Sequence, residues 1–354
     1  MLSWIHPHLT QSVNPIKGRQ LQASKPIQRG EVLLIDPPYA IIPTPTPAVD
    51  GEDPLDLICS NPHCSRLIQQ HTGSPCPNRC TTDVAWCSET CRQTDQPRHA
   101  FECTWLSKYA TSLRSKWGEF NFGMLWLIVR ILARRDTHTQ LEPTPPSAPI
   151  STPPSAFQSD WPAISSLCGT PETWSHAQVR EWTIFAKKYL SAETSSLTHG
   201  LSAAEIVALI CKEEANSFGL YPRETGCYPP PTCFSSAGTT SIGASTGRGE
   251  QFGAAVYPRA SIANHSCCPN IIHKPDKTNR MVFTAGRDIA AGEECCITYF
   301  DLSEYIELQE RRGHLRALFR FRCGCARCVA DQEEREEEGG EEEGKGQWDF
   351  GGME

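Results

Sequence analysis

Eight residues with metal-binding side chains lie in four close pairs between positions 59 and 103. Structural zinc is held by four thiolate or imidazole ligands, and a single turn can present two nearby ligands to one ion. Cysteines scattered through a core would not form such pairs. The pattern predicts two tetrahedral zinc sites in a small fold organised by metal. The pairs are Cys59 and Cys64, Cys76 and Cys80, Cys87 and Cys91, and His99 and Cys103.

A second cysteine cluster, FRCGCARC, contains Cys323, Cys325 and Cys328. Three thiolates are one ligand short of a closed zinc site, so a fourth must come from elsewhere in the chain. The segment NHSCCPN at 264–270 offers Cys267. The two clusters together predict three zinc ions.

The compartment decides how 18 cysteines are interpreted. The first residues, MLSWIHPHLT, lack the basic segment and apolar run of a secretory signal. We therefore expect a reducing compartment, the nucleus and/or the cytoplasm, where cysteines hold metal more often than they form disulfides. The longest apolar stretch, 124–133, is interrupted by Arg130 and is shorter than the roughly 20 residues that a bilayer requires. No membrane association is expected.

Three strings resemble motifs of one family. NHSCCPN matches the SET domain motif NHSC-x-PN, and GEECCITYF at 292–300 matches the GEE motif that ends in a tyrosine. AWCSETCRQTDQPRHAFEC resembles the second half of a MYND finger. From position 17 to 328 the order of motifs is similar to that of SET and MYND protein lysine methyltransferases.

The resemblance implies an α+β fold: a β-rich SET fold with an inserted MYND zinc finger, a helical insert and a post-SET zinc site. In the SET fold, the NHSC and GEE segments thread past each other in a knot-like crossing. The implied domains are the N-terminal part of SET (1–40), a linker (41–56), the MYND finger (57–104), the helical insert (105–215), the SET core (216–301), the post-SET region (302–330) and a disordered acidic tail (331–354).

The MYND resemblance also implies interleaved ligation. Cys59, Cys64, Cys87 and Cys91 would hold one zinc, and Cys76, Cys80, His99 and Cys103 the other. In the SET motif, the ligand directly follows Asn-His-Ser, which selects Cys267 over Cys268 for the third site. We interpret His63 and His71 as surface residues. The remaining thiols are expected to be ordinary: Cys168, Cys211, Cys227, Cys233, Cys268, Cys295 and Cys296.

S-adenosylmethionine is the cofactor that the resemblance implies. Lys17 and Arg19 correspond to the family's KGRGL turn, which meets the methionine carboxylate, with Gln20 in place of the glycine. Asn216 matches an asparagine that binds the methionine amino group. Taken singly, Lys17 and Arg19 would be ordinary surface charges and Asn216 an ordinary helix end.

Further contacts follow from the same resemblance. Asn264 and His265 would hold the cofactor through side-chain and backbone hydrogen bonds, and Phe321 would stack on adenine. Tyr299 would direct its hydroxyl into the lysine channel and orient the amine; without the motif it would be a packed strand tyrosine. Phe319 occupies a channel position that is often tyrosine, and the extra room is expected to favour higher methylation states.

The elements around these residues follow from periodicity. Short apolar runs predict strands at 32–35, 254–257, 271–273, 281–284 and 296–299. Helical patterns cover 124–134, 174–190 and 203–216, the last with Ser202 and Glu205 in a capping box. Residues 143–154 and 227–249 are rich in proline or in small polar residues and predict surface loops.

The net charge of -8 comes from the end of the chain. Residues 331–354 carry 11 acidic and 2 basic residues, which leaves 30 acidic and 31 basic residues before them. Such a tail buries little apolar surface, so disorder is expected. The nearly neutral body disfavours direct nucleic-acid binding.

These observations predict a protein-lysine N-methyltransferase that acts on histone and/or non-histone proteins. The alternative is a catalytically weak MYND adaptor or corepressor that binds proline-rich peptides, because a fold does not guarantee activity.

Overall fold

The computed structural model describes residues 2–44, 57–68, 72–141, 157–191, 200–226 and 248–338. The strands in these ranges are β1 (Trp4–Ile5), β2 (Leu9–Asn14), β3 (Gly18–Ala23), β4 (Val32–Asp36), β5 (Ala40–Pro43), β6 (Leu57–Ile58), β7 (Leu67–Ile68), β8 (Ser74–Pro75), β9 (Ala85–Trp86), β10 (Ser217–Leu220), β11 (Gly253–Val256), β12 (Ile271–Pro275), β13 (Met281–Ala285) and β14 (Glu294–Cys295). The helices are α1 (Glu89–Leu141), α2 (Trp161–Ser165), α3 (His176–Tyr189), α4 (Ala203–Asn216), α5 (Leu308–Phe319) and α6 (Ala326–Glu338).

Three small antiparallel sheets form the β-rich part. Their strand orders are β1-β4-β13-β12, β10-β11-β5 and β14-β3-β2. Each sheet joins the first 44 residues to residues beyond 250, through the pairs β4 with β13, β5 with β11 and β3 with β14. The finger and the helical block are therefore inserted between two halves of one β-rich unit, as an α+β SET fold with insertions requires.

The strands form where apolar residues alternate with polar ones. In β13, MVFTA, every second residue is buried, and β4 places Leu33 and Leu34 against the same core. β-branched and aromatic side chains pack well on such a half-buried surface. A separate apolar cluster fills the space between the finger and the helices α1, α3 and α4.

The finger consists of two short hairpins and the start of α1. β6 pairs with β7, and β8 pairs with β9. The helix α1 continues from the finger into the helical block, with a break at Gly118, whose φ is 81°. The predicted boundary at 104–105 therefore lies inside the part of α1 that precedes the break at Gly118.

The helix at 203–216 has the bounds and the cap that the sequence predicts. The Ser202 hydroxyl accepts a hydrogen bond from the Glu205 backbone N–H, and Glu205 Oε2 accepts one from the Ser202 N–H. Ser175 caps α3 in the same way through Gln178. Helix 124–134 is confirmed as part of α1, and no helix in the described ranges is long and apolar enough to span a membrane.

Three predictions are wrong, two at their edges and one throughout. The predicted linker begins at 41, but β5 continues to Pro43 because it pairs with β11. The predicted strand at 296–299 is absent: β14 ends at Cys295, and the next residues cross another segment instead of joining a ladder. Residues 331–338, predicted as disordered, continue α6, where Arg311 pairs with Asp331 and Arg312 Nη2 donates to Gln332 at 3.0 Å.

Other predictions lie outside the described residues. These are the linker from 45 to 56, the proline-rich loop, His71, the insertion at 227–247 with Cys227 and Cys233, and the tail from 339.

Candidate active site and metal centres

Three sets of metal-ligand atoms come together, and they are the three sets that the sequence predicts. Within each set, all ligand atoms lie within 4.8 Å of one another. The pairing in the finger is interleaved, as the resemblance implies. The sets are Cys59, Cys64, Cys87 and Cys91; Cys76, Cys80, His99 and Cys103; and Cys267, Cys323, Cys325 and Cys328.

The spacing of the sulfur atoms fits zinc. Cys64 and Cys87 have sulfur atoms 3.6 Å apart, and Cys267 and Cys323 have theirs 3.9 Å apart. A tetrahedral zinc with Zn–S bonds of about 2.3 Å has sulfur atoms about 3.8 Å apart, whereas a disulfide needs about 2.05 Å. Each set holds four thiolate or imidazole donors, so the described sites are closed structural zinc sites.

A buried carboxylate supports the second zinc set. His99 directs Nε2 toward Cys76 Sγ at 3.3 Å, and its Nδ1 lies 3.4 Å from Glu102 Oε2. Arg130 Nε donates to the other Glu102 oxygen at 2.8 Å. Burial raises the pKa of Glu102, but Arg130 and Arg98 outweigh it and hold that pKa well below its usual value. Glu102 is therefore an anion that orients the ligand ring.

The NHSC and GEE segments cross each other in the middle of the SET core. The Ser266 N–H donates to Ile297 O at 2.8 Å, and the Ile297 N–H donates to Asn264 O at 3.0 Å. Asn270 fixes the same strand, because its Nδ2 donates to Glu294 O at 2.8 Å and its Oδ1 accepts from the Cys296 N–H at 2.8 Å. The two segments that the resemblance expects to cross are thus hydrogen-bonded to each other.

His265 joins this crossing to the third zinc set. Its Nδ1 accepts a hydrogen bond from the Tyr299 backbone N–H at 3.1 Å, so the proton of the neutral ring lies on Nε2. That Nε2 lies 3.2 Å from Cys267 Sγ. The imidazole thus fixes the backbone of Tyr299 on one side and contacts a zinc ligand on the other.

Lys17, Asn264 and Glu294 meet at the start of β3. Lys17 Nζ lies 2.5 Å from Glu294 Oε2, and Asn264 Nδ2 donates to Glu294 Oε1 at 2.9 Å. Burial lowers the pKa of Lys17, but Glu294 outweighs it and raises the pKa above its usual value. The pairing of β14 with β3 brings Glu294 here from the far end of the SET core.

Arg19 and Asn216 contact the same short loop after α2. Arg19 Nη2 donates to Ser166 O at 2.9 Å, and Asn216 Nδ2 donates to Cys168 O at 2.7 Å. Asn264 Nδ2 also donates to the Arg19 carbonyl at 3.2 Å. The structure therefore brings Arg19, Asn216 and Asn264 into one hydrogen-bonded region.

A narrow pocket of about 80 Å³, named here the Tyr299 pocket, opens beside Asn216. Tyr299 donates its hydroxyl proton to Ala263 O at 3.0 Å, and its ring centre lies 4.8 Å from that of Phe319. Burial raises the pKa of Tyr299, so the phenol stays protonated at neutral pH. The lining residues are Ala215, Asn216, Ser217, Phe218, Gly219, Thr225, Arg248, Ser261, Ala263, His273, Ile297, Thr298, Tyr299 and Phe319.

Phe321 lies between the pocket and the third zinc set. Its ring centre is 6.4 Å from that of Tyr299 and 6.1 Å from that of His265. Phe319 and Phe321 are held there by the turn that follows α5, where Arg320 adopts a left-handed conformation with φ 61°.

The sequence analysis missed five contributors to the site. Glu294 was interpreted only as part of a motif, because the strand pairing that brings it to Lys17 and Asn264 is not visible in the sequence. The Ser166 and Cys168 carbonyls carry no side-chain signal. Arg248 and His273 line the pocket, and the polar His273 inside the apolar run IIH was the one available signal.

Comparisons with known proteins agree with this geometry. The SET domain family matches residues 18–300. A SET and MYND domain-containing protein of Dictyostelium discoideum is 25% identical over 339 residues, which cover 90% of this chain and 59% of that protein. N-lysine methyltransferase SMYD2-A of Xenopus laevis is 25% identical over 321 residues, and N-lysine methyltransferase SMYD2 of Homo sapiens is 23% identical over 322. In both cases the match covers 91% of this chain and 60% of the relative.

The chain thus spans about 60% of the length of the curated relatives it matches. Among solved structures, the SET domain of LSMT bound to lysine and AdoHcy aligns with a TM-score of 0.37 and 11% identity, over 89% of this chain and 53% of that chain. The SET match extends over most of the sequence, and the three cysteine-rich sets occupy the finger and post-SET positions. The chain belongs to the SET domain family.

Proposed function

We propose that this protein transfers a methyl group from S-adenosylmethionine to the side-chain amine of lysine residues in other proteins. The observation that carries the proposal is Tyr299, whose hydroxyl lies 3.0 Å from Ala263 O in a narrow pocket walled by Phe218 and Phe319. Aromatic walls suit an extended alkyl chain. The names of two relatives, both N-lysine methyltransferases, support the same reaction.

The residues beside the pocket fit S-adenosylmethionine, which carries a carboxylate, an ammonium and an adenine. Lys17 and Arg19 are cations suited to the carboxylate. Among the described residues, the side-chain hydrogen bonds of Asn216 and Asn264 run through Nδ2, so each Oδ1 can accept from the ammonium. Phe321 offers an aromatic face for adenine. When bound, the cofactor supplies an electrophilic methyl group on sulfur.

The chain itself contributes alignment and exclusion of water. Because the Tyr299 hydroxyl donates its proton to Ala263 O, its oxygen is left as an acceptor for an amine N–H. The apolar walls disfavour a charged ammonium and therefore ease its deprotonation. His265 holds Tyr299 in place through its backbone N–H. Positioning of this kind accounts for a large share of the rate in a reaction between two bound groups.

The test is transfer of labelled methyl groups from S-adenosylmethionine to a panel of histones and extract proteins. Tyr299→Phe should reduce transfer by roughly 100-fold or more, because the acceptor oxygen that aligns the amine is lost. The matched control is Tyr39→Phe, since the Tyr39 hydroxyl is buried and has no hydrogen-bond partner in the described part of the chain. Both variants should keep close to three zinc ions per chain.

A zinc-loaded wild-type protein that neither binds S-adenosylmethionine nor transfers methyl groups would contradict the proposal. The substrate class, histone and/or non-histone protein, is part of the same proposal. So is residence in the nucleus and/or cytoplasm, which imaging of the tagged full chain tests; secretion into the medium would contradict it.

A second candidate function is supported by a groove of about 650 Å³ beside the second zinc set. Asn78 and Gln96 offer hydrogen bonds there, and Pro77 and Ala100 offer apolar surface. Such a groove suits an extended proline-rich peptide, whose preformed backbone loses little entropy on binding. Gln96→Ala should weaken binding of a fluorescent proline-rich peptide, whereas Tyr299→Phe should not. Equal affinity of the Gln96→Ala variant would count against this role.

A further inference from the structure

Two buried polar atoms belong to residues that line the Tyr299 pocket and have no hydrogen-bond partner in the described ranges. They are Nδ1 of His273 and Nε of Arg248. A buried polar atom without a partner is destabilising, and folded proteins rarely keep one unless water or a ligand satisfies it. Two such atoms around one small pocket point to a ligand group that the pocket is built to receive.

The fold holds His273 rigidly. On β12 its backbone exchanges two hydrogen bonds of 2.9 Å with Thr225, and the ring packs edge-on against Phe218 at 6.1 Å and Phe283 at 5.9 Å. The residue is only 8% exposed. The imidazole therefore cannot turn away to find another partner, and its position relative to the pocket is fixed.

Arg248 is held less tightly but in a defined place. Its guanidinium lies 4.1 Å from the centre of the Tyr221 ring. Its Nε is 3.6 Å from Asp301 Oδ2, which leaves an ion pair but no hydrogen bond. Nε–H thus remains as a donor, because arginine has donors and no acceptor.

The chemistry of the missing group follows from these two side chains. Burial and the charge of Arg248 lower the pKa of His273 to about 3, so its ring is neutral at physiological pH and can donate through Nδ1. A cation beside Arg248 is disfavoured by repulsion, which excludes the target amine from this end. Each of the two atoms can donate a hydrogen bond, so each suits an acceptor oxygen.

We propose that Arg248 and His273 form an oxygen-binding subsite that positions the substrate polypeptide, by taking a carbonyl or carboxylate oxygen close to the target lysine. The proposal rests on the proposed methyl transfer. It makes Arg248 and His273 positioning residues for the substrate, while Tyr299 and Phe319 act on the amine.

The test separates substrate binding from the chemical step. The probes are two capped peptides, Ala-Ala-Lys-Ala-Ala and Ala-Glu-Lys-Glu-Ala, each measured for KM and kcat with the full chain and for Kd by fluorescence anisotropy. His273→Val and Arg248→Met should raise KM and Kd roughly tenfold while kcat changes less than about threefold. The lost hydrogen bond stabilises the bound substrate and the transition state equally, so its loss weakens binding without slowing the chemical step. His273→Asn should restore most of the affinity, since its amide can donate from nearly the same place.

The two peptides distinguish the source of the oxygen. A backbone carbonyl predicts equal losses for both peptides. A flanking carboxylate predicts tight binding of the glutamate peptide alone and a loss confined to it.

Unchanged KM and Kd for both peptides in both variants would overturn the subsite, as would wild-type protein that binds neither peptide. Tyr299→Phe in the same assay distinguishes the two proposals. The subsite alone would be refuted if the wild type transferred methyl groups, Tyr299→Phe were inactive and His273→Val kept the wild-type KM. If His273→Val loses zinc, its fold is disturbed, and the KM and Kd of Arg248→Met then decide whether the subsite exists.

Discussion

At the scale of single residues, the proposed function assigns Phe319 the role of setting the space around the target amine. Its ring lies 4.8 Å from that of Tyr299 and carries no hydroxyl that could hold a water molecule. We expect the wild type to form di- and trimethyl-lysine, and Phe319→Tyr to shift the products toward monomethyl-lysine. Mass spectrometry of a methylated peptide measures this distribution. A wild type that stops at monomethyl-lysine would show that Phe319 does not control the product.

His273 makes the folded state sensitive to acid. Its pKa is about 3 in the folded protein because of burial and Arg248, against 6.5 as the ordinary value. Below pH 6.5 the unfolded chain binds a proton that the folded chain refuses, so stability falls as the pH drops toward 3. The loss between pH 7 and pH 5 is about 2 kcal/mol from this one group.

His273→Asn should remove that part of the pH dependence. Zinc ligands also protonate in acid, but they do so equally in both proteins, so the difference isolates the imidazole. Urea unfolding at pH 7 and pH 5 provides the comparison. If the free energy of unfolding changed equally between pH 7 and pH 5 in the two proteins, His273 would be protonated in the folded state.

The sequence could predict the residues that act through type and spacing. All twelve zinc ligands pair as expected, because four donors around one ion leave a recognisable pattern. Glu294 and the Ser166 and Cys168 carbonyls were missed, since they reach the site only through strand pairing and loop closure. The role proposed for Arg248 depends on which side chains line the pocket. The spacing of residues along the sequence does not show this.

At the scale of elements, α1 connects the second zinc set to the SET sheets. Glu102 contacts the ligand His99 and accepts hydrogen bonds from Trp126 at 2.5 Å and Arg130 at 2.8 Å, and Arg130 donates in turn to the carbonyl of Ile41 in β5. A carboxylate removed from such a buried network leaves cations without a partner. Glu102 therefore connects the second zinc set, the helix α1 and the strand β5.

Glu102→Gln should lower the free energy of unfolding by about 3–5 kcal/mol and weaken zinc at this set by about 10- to 100-fold. Chelator competition and urea unfolding measure the two effects. The control is Glu119→Gln, directly after the break in α1, where an exposed ion pair with Arg114 contributes less than about 1 kcal/mol. Equal effects of the two substitutions would mean that the network does not support the metal.

Local signals predict some elements well and others poorly. The capping box placed α4 because Ser202 and Glu205 satisfy each other's backbone groups without help from the rest of the fold. Residues 296–299 look like a strand, yet only one bridge, between His265 and Ile297, forms there. The apolar residues at 296–299 contact the segment that contains His265 instead of a strand. Local periodicity does not predict this contact.

At the scale of the whole molecule, the finger zinc sets and the third zinc set stabilise different parts of the structure. The two finger sets lie beside the apolar cluster that packs α1, α3 and α4. The third set joins Cys267 of the SET core to the cysteines after α5, beside Tyr299, Phe319 and Phe321. Its ligand Cys267 also contacts His265, which fixes the Tyr299 backbone. One kind of set supports the helical block, and the other closes the candidate active site.

Loss of one ligand from each kind should therefore separate stability from cofactor binding. Cys325→Ser should release one zinc and reduce affinity for S-adenosylmethionine by at least about tenfold, because Phe321 and His265 lose their anchor. Cys64→Ser should also release one zinc, yet lower the melting temperature more and the cofactor affinity less. Zinc stoichiometry, calorimetric titration and thermal melts distinguish the two. If Cys64→Ser weakened cofactor binding as much as Cys325→Ser, the zinc sets would act as one unit, and the division of roles would be wrong.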